Sequence, residues 1–96
     1  MSILDEIKNR KHELMPILAR YGATNPRVFG SVARGQETGA SDIDLLVSLP
    51  DTLSLFDVAA LQIELEELLG RAVDLVTEGE LHLRIKPQAL REAVAL

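Results

Sequence analysis

The chain has 96 residues and a net charge of −5, with fifteen Asp and Glu against ten Lys and Arg, and nearly half of its residues are hydrophobic. This length is read as a single domain, residues 1–96, burying roughly 60–70% of its unfolded surface. The acidic balance argues against direct binding of nucleic acid, which needs clustered cations to neutralise phosphates. The lack of cysteine excludes disulfides and thiolate metal sites. No run approaches a membrane span and no leader pattern is visible, so a cytoplasmic protein is expected.

In chain order, Ser2 to about Tyr21 carries helical spacing, with Ile3, Ile7, Leu14, Leu18 and Tyr21 along one stripe. Ser2 and Asp5 form a capping pair. Pro16 is expected to kink the helix or restart it, and Gly22 to end it. Asn25-Pro26 reads as the turn into a first strand, Arg27 to Gly30. A polar loop with Gly35 and Gly39 leads to a second strand, Ile43 to Leu49, closed by Pro50-Asp51. Ser54 and Asp57 repeat the capping pair ahead of a helix with Val58, Leu61, Leu65 and Leu68 on one face, stopped by Gly70. Glu64, Glu66 and Glu67 fall on the opposite, solvated side. Ala72 to Val76 is a third short strand. Pro87 begins a last helix whose inner face is Ala89, Leu90 and Ala93. The expected fold is α/β (α+β), with short strands covered by helices.

The chemistry concentrates in residues 28–47. Val28-Phe29 runs into Gly30-Ser31, and after ten further residues comes Asp42-Ile43-Asp44 at the mouth of an apolar strand. Residues two apart in a strand share a face, so Asp42 and Asp44 aim at one spot. Their repulsion is relieved by a cation, and oxygen ligands of this kind suit Mg²⁺ together with substrate phosphates. Gly30 lets backbone approach a ligand, Ser31 offers a hydroxyl and an N–H, and Val32-Ala33-Arg34 opens a short helix whose N–H groups attract an anion. An anion cradle beside a divalent-metal site is suited to a nucleoside triphosphate. Arg34 has two readings, contact with the nucleotide or a brace to a nearby acid. Ser41 would fix the backbone before Asp42. Asp74 is locally no different from an ordinary strand aspartate. His12 and His82 have no metal-spaced companion, and Arg84 and Lys86 either approach the phosphates or remain solvated loop charges.

Gly-Ser, ten residues and Asp-x-Asp, in the string FGSVARG…SDIDLLV, resembles the DNA polymerase β-like nucleotidyltransferase superfamily and, in size, its minimal nucleotidyltransferase (MNT) branch. The resemblance implies a mixed, mainly antiparallel sheet flanked by helices. It implies a third carboxylate, matched here by Asp74, and two Mg²⁺ ions held by Asp42, Asp44 and Asp74. Gly30, Ser31 and Arg34 match the nucleotide-binding part. The minimal branch is similar to the antitoxin of HEPN–MNT toxin–antitoxin pairs, which implies transfer of AMP from ATP to a tyrosine of a HEPN-type toxin partner. Two other readings stand beside it: a noncatalytic antitoxin that masks a toxin by contact, and a subunit that modifies a small molecule of the aminoglycoside kind. An intact set of three aspartates favours the enzyme.

Overall fold

The structure is a computed structural model that describes residues 2–36, 42–77, 80 and 87–96. The element order is α1 (Ile3–Asn9), α2 (Lys11–Arg20), β1 (Thr24–Phe29), α3 (Gly30–Arg34), β2 (Ile43–Ser48), α4 (Leu55–Leu69), β3 (Val73–Thr77), α5 (Pro87–Glu92) and β4 (Val94–Ala95). The strands form one sheet in the order β3-β2-β1-β4. β1 runs antiparallel to β2 and β4, whereas β2 and β3 are parallel. The sheet is therefore mixed and mainly antiparallel, as the resemblance implied. The parallel pair is made possible by α4, the crossover that returns the chain to the starting end of β2.

Both capping pairs close. The Ser2 hydroxyl accepts from the Asp5 N–H at 3.1 Å, and the Ser54 hydroxyl accepts from the Asp57 N–H at 3.1 Å, with each aspartate reaching back to the cap residue's N–H. Gly70 ends α4. The first helical segment breaks at Arg10 (φ −101°, ψ 11°), whereas Pro16 lies inside α2. Arg10 keeps the backbone continuous, since its carbonyl accepts from Glu13 at 2.9 Å and Leu14 at 3.0 Å. Its guanidinium donates to the Leu68 carbonyl at 3.3 Å, where the C-terminal end of α4 attracts a cation.

The expected turn at Asn25-Pro26 is a bulge inside β1. Thr24 pairs with Ser48 and Arg27 with Leu46, so two residues face one, and Asn25 takes φ 53°. The two faces of the sheet differ. Val28, Ile43, Leu45, Val47 and Val73 join Ile3, Ile7, Leu14, Leu18, Leu61 and Leu65 in the main core, under α1, α2 and α4. Phe29, Leu46 and Val76 form a small cluster with Ala93 packed against it. The chain end differs from its reading as plain helix. α5 is followed by β4, which pairs with Arg27 and Val28. Ala93, where the chain passes from α5 to β4, packs inward, but Leu90 within α5 is 37% exposed. The side chain of Ala89 lies outside the described residues, as do Gly39, Ser41, His82, Arg84 and Lys86.

Two of the three glutamates assigned to a solvated face of α4 hold the fold together. Glu64 accepts from the Tyr21 hydroxyl and from the Arg20 guanidinium, joining α2 to α4. Glu66 accepts from the Val73 N–H at 2.9 Å, capping the start of β3. Glu67 alone of the three is exposed. The hydroxyl of Tyr21 lowers the Glu64 pKa by stabilising its carboxylate, with Arg20 adding to the effect. The same hydrogen bond raises the Tyr21 pKa.

Candidate active site

The period of two that builds each strand also builds the site. On β2, Ile43, Leu45 and Val47 enter the main core, so Asp44 and Leu46 project to the other face. On β3, Val73 enters the core and Val76 joins the Phe29 cluster on the same side as Leu46. Asp44 and Asp74 are register partners on these parallel strands. Neighbouring strands lie about 4.8 Å apart, and partners in register present their side chains on the same face. Tertiary pairing thus gives Asp74 the position that its local sequence left open. Asp42 is exposed just before β2, at the same end. Both Asp44 and Asp74 are half-buried.

β1 delivers the third part. Phe29 is the register partner of Asp44, so the chain turns at Gly30 directly beside that carboxylate. Gly30 has φ +73°, in the left-handed region. A Cβ placed on it would overlap Oδ2 of Asp44 and stand 3.2 Å from its Cγ and 3.5 Å from its Cβ. The glycine is therefore required twice, by its backbone angle and by the carboxylate packed against it. Ser31 is half-buried in the first turn of α3, and no side chain caps that helix's N-terminus. Gly35 ends α3 with φ +70°.

The Arg34 guanidinium is engaged by groups other than the three aspartates. Its Nε donates to Gln36 at 3.2 Å, and its Nη1 lies 3.5 Å from Glu92 on α5. The pair ties the cradle helix to the C-terminal segment, so Glu92 enters the site's support. Phe29, Leu46, Val76 and Ala93 form the apolar floor beside it. A sequence signal for that floor existed: Phe29 precedes Gly30, and Leu46 and Val76 each follow a site aspartate by two residues. His12 is exposed and lies 3.6 Å from Glu13.

Among the described residues, no three His, Cys, Asp or Glu side chains are grouped closely enough to hold a metal ion by themselves. The arrangement is an in-register pair with a third acid at its mouth. That fits Mg²⁺, which takes one or two carboxylates and completes its shell with water and phosphate oxygens. Hard oxygen donors with no thiolate or paired imidazole match the same ion. Chemically, the site offers paired carboxylate oxygens for a cation and, next to them, the start of α3, whose N-terminus no side chain caps.

A mixed sheet with paired acids at one strand end and a glycine-serine turn against one of them is an arrangement suited to a metal-bound phosphate ligand. The chain belongs to the nucleotidyltransferase domain family, whose model matches residues 16–96, and within it to the minimal nucleotidyltransferases. Nucleotidyl transfer is accordingly its class of activity. It is 39% identical to the protein adenylyltransferase MntA of Thermococcus cleftensis, over 98% of this chain and 96% of that one. It is 41% identical to the provisionally named protein adenylyltransferase MJ0435 of Methanocaldococcus jannaschii, over 92% and 95%. Among solved structures it is similar to one provisionally described as a minimal nucleotidyltransferase, with TM-score 0.83, 44% identity and coverage of 100% and 97%. It is also similar to a chain of a toxin–antitoxin structure with AMP-PNP, with TM-score 0.59, 29% identity and coverage of 69% and 55%. No helix among the described residues is long and apolar enough to cross a membrane.

Proposed function

We propose that this chain, as one cytoplasmic domain over residues 1–96, transfers AMP from ATP to a hydroxyl of a partner protein. The partner is a HEPN-type toxin, the acceptor is a tyrosine on it, and the modification makes this chain an antitoxin. The observation that carries the reading is the register of Asp44 with Asp74, with Gly30 packed against Asp44. The relatives named as protein adenylyltransferases, and the toxin–antitoxin structure with AMP-PNP, support the donor and the kind of partner.

In this reading Gly30 and Ser31 hold the triphosphate through backbone N–H groups and the serine hydroxyl. Asp42 and Asp44 would hold a metal ion for the triphosphate, and Asp74 would serve the acceptor hydroxyl. Two Mg²⁺ ions, when bound, supply charge neutralisation of the triphosphate and a lower pKa at the acceptor hydroxyl. The acceptor oxygen bonds to the α-phosphorus, the bond from that phosphorus to the pyrophosphate oxygen breaks, and pyrophosphate leaves. Asp74 takes the hydroxyl proton. Arg34 contributes by bracing α3 through Glu92. Positioning and charge stabilisation account for most of what such a transfer requires.

The test is intact-mass measurement of the protein encoded beside this chain, after incubation with this chain, Mg²⁺ and ATP. A gain of AMP units with wild type, absent with Asp42→Asn/Asp44→Asn and without Mg²⁺, supports the reading. Toxicity rescue by the double variant, with no mass change in either case, would overturn it in favour of masking by contact.

A further inference from the structure

Helix α4 is apolar on two opposite sides. Leu61 and Leu65 are fully buried on its inner side. On the outer side, Phe56 and Ile63 lie seven residues apart, close to two helical turns, with Ala59 between them. Phe56 is 87% exposed, Leu55 87% and Ile63 54%. A helix that is hydrophobic all round normally belongs to an interior. Here nothing within the described chain covers the second face. The helix's own charge is one-sided: α4 carries Asp57, Glu64, Glu66 and Glu67 and no Lys, Arg or His. Glu64 is paired with Arg20, whereas Glu67, one turn beyond Ile63, is exposed.

We propose that the outer face of α4, centred on Phe56, Ala59 and Ile63, is a docking surface for an amphipathic helix of a partner protein, apolar on one side and rich in Lys and Arg on its flanks. An aromatic and an aliphatic side chain two turns apart match the spacing by which a helix engages another helix's apolar face. The acidic surroundings select a basic partner and disfavour a second copy of this chain, which would bring like charge to the same place. The inference deepens the reading above, because the occupant is the partner that reading requires. The surface lies on the side of the sheet opposite Asp44, whose neighbour Leu46 faces away from the core that α4 covers. A docked helix therefore leaves the acidic site open. The acceptor hydroxyl then comes from a separate segment, or a separate copy, of the partner.

The experiment uses the full chain without nucleotide. The probe is a synthetic helical peptide of about 20 residues, with leucines on one side and lysines on the other, long enough to hold some helix when bound. Binding is followed by amide chemical shifts and by calorimetry. The expected result is shifts concentrated at residues 55–63 and small at Gly30 and Asp44. Phe56→Lys/Ile63→Lys should weaken binding at least tenfold, and the milder Phe56→Ser several-fold. A peptide with glutamates for lysines should bind at least tenfold more weakly. Asp42→Asn/Asp44→Asn should bind the lysine peptide within twofold of wild type, so failure of the transfer chemistry and failure of the docking surface are separate outcomes. Unchanged affinity in both surface variants, equal binding of the acidic peptide, or a wild-type dimer that Phe56→Lys/Ile63→Lys converts to monomer would each overturn the proposal.

Discussion

Gly30→Ala should damage the chemistry far more than the fold, and Gly35→Ala provides the matched control. Both glycines have nearly the same positive φ, +73° and +70°. An alanine in that region costs about 1–2 kcal/mol. At Gly35 nothing lies within 4 Å of the added Cβ, so the backbone term is the whole effect. At Gly30 the Cβ would overlap Oδ2 of Asp44 and sit 3.2 Å from its Cγ. Comfortable carbon–carbon contact is about 3.5–4.0 Å, so Cγ must give by a few tenths of an ångström and the overlapping Oδ2 must swing aside by about 1 Å. That movement is cheap in stability, because the Asp44 side chain can rotate. It is expensive in catalysis, where a misplacement of about 1 Å costs on the order of 100-fold. Both variants should lose about 1–2 kcal/mol, seen as a fall in Tm of about 4–16 °C for a domain of this size. AMP transfer under single-turnover conditions should fall about 100-fold in Gly30→Ala and less than about threefold in Gly35→Ala. Equal activity in the two variants would refute the account, since the approach of Asp44 would then have no bearing on the reaction.

Asp74→Asn should slow the chemical step more than it weakens triphosphate binding, and rapid-quench kinetics with a binding titration separate the two. Asp42→Asn or Asp44→Asn should abolish transfer while leaving the fold intact or more stable, because either change relieves carboxylate repulsion; denaturation and turnover measured together check this. Arg34→Ala and Glu92→Gln should have similar, small effects on stability, about 0.2–1 kcal/mol for an exposed pair, and similar effects on KM for ATP. A much larger rise in KM for Arg34→Ala alone would place the guanidinium on the nucleotide. For Glu64, the depressed folded pKa means that its stabilising bonds are fully present above the ordinary value of 4.5 and are lost as pH falls through the lower folded value. Wild type should therefore lose stability relative to Glu64→Gln in chemical denaturation carried out below about pH 4.5.

The local devices were decided within a few residues of sequence, and they appear as read. Ser2 with Asp5 and Ser54 with Asp57 close their boxes because each contact spans only three residues. Gly30-Ser31 and Asp42-x-Asp44 stand out as a candidate site in sequence because a turn and a strand period are short-range facts. What depended on strands meeting was not legible. Asp74, which only the resemblance singled out, came beside Asp44 when β3 paired in register with β2. Glu64 and Glu66 looked like a solvated face, yet one received Tyr21 and Arg20 and the other the N–H of Val73. The break at Arg10 prevailed over the expected one at Pro16 within a turn-to-turn pattern that both satisfied. The two-residue β4 carries too little period to announce itself, and it exists because β1 offers an edge for it to pair with. Periodicity and capping are properties of neighbours along the chain, whereas register, edge pairing and cross-helix acceptors depend on partners tens of residues away, which only the folded sheet brings together.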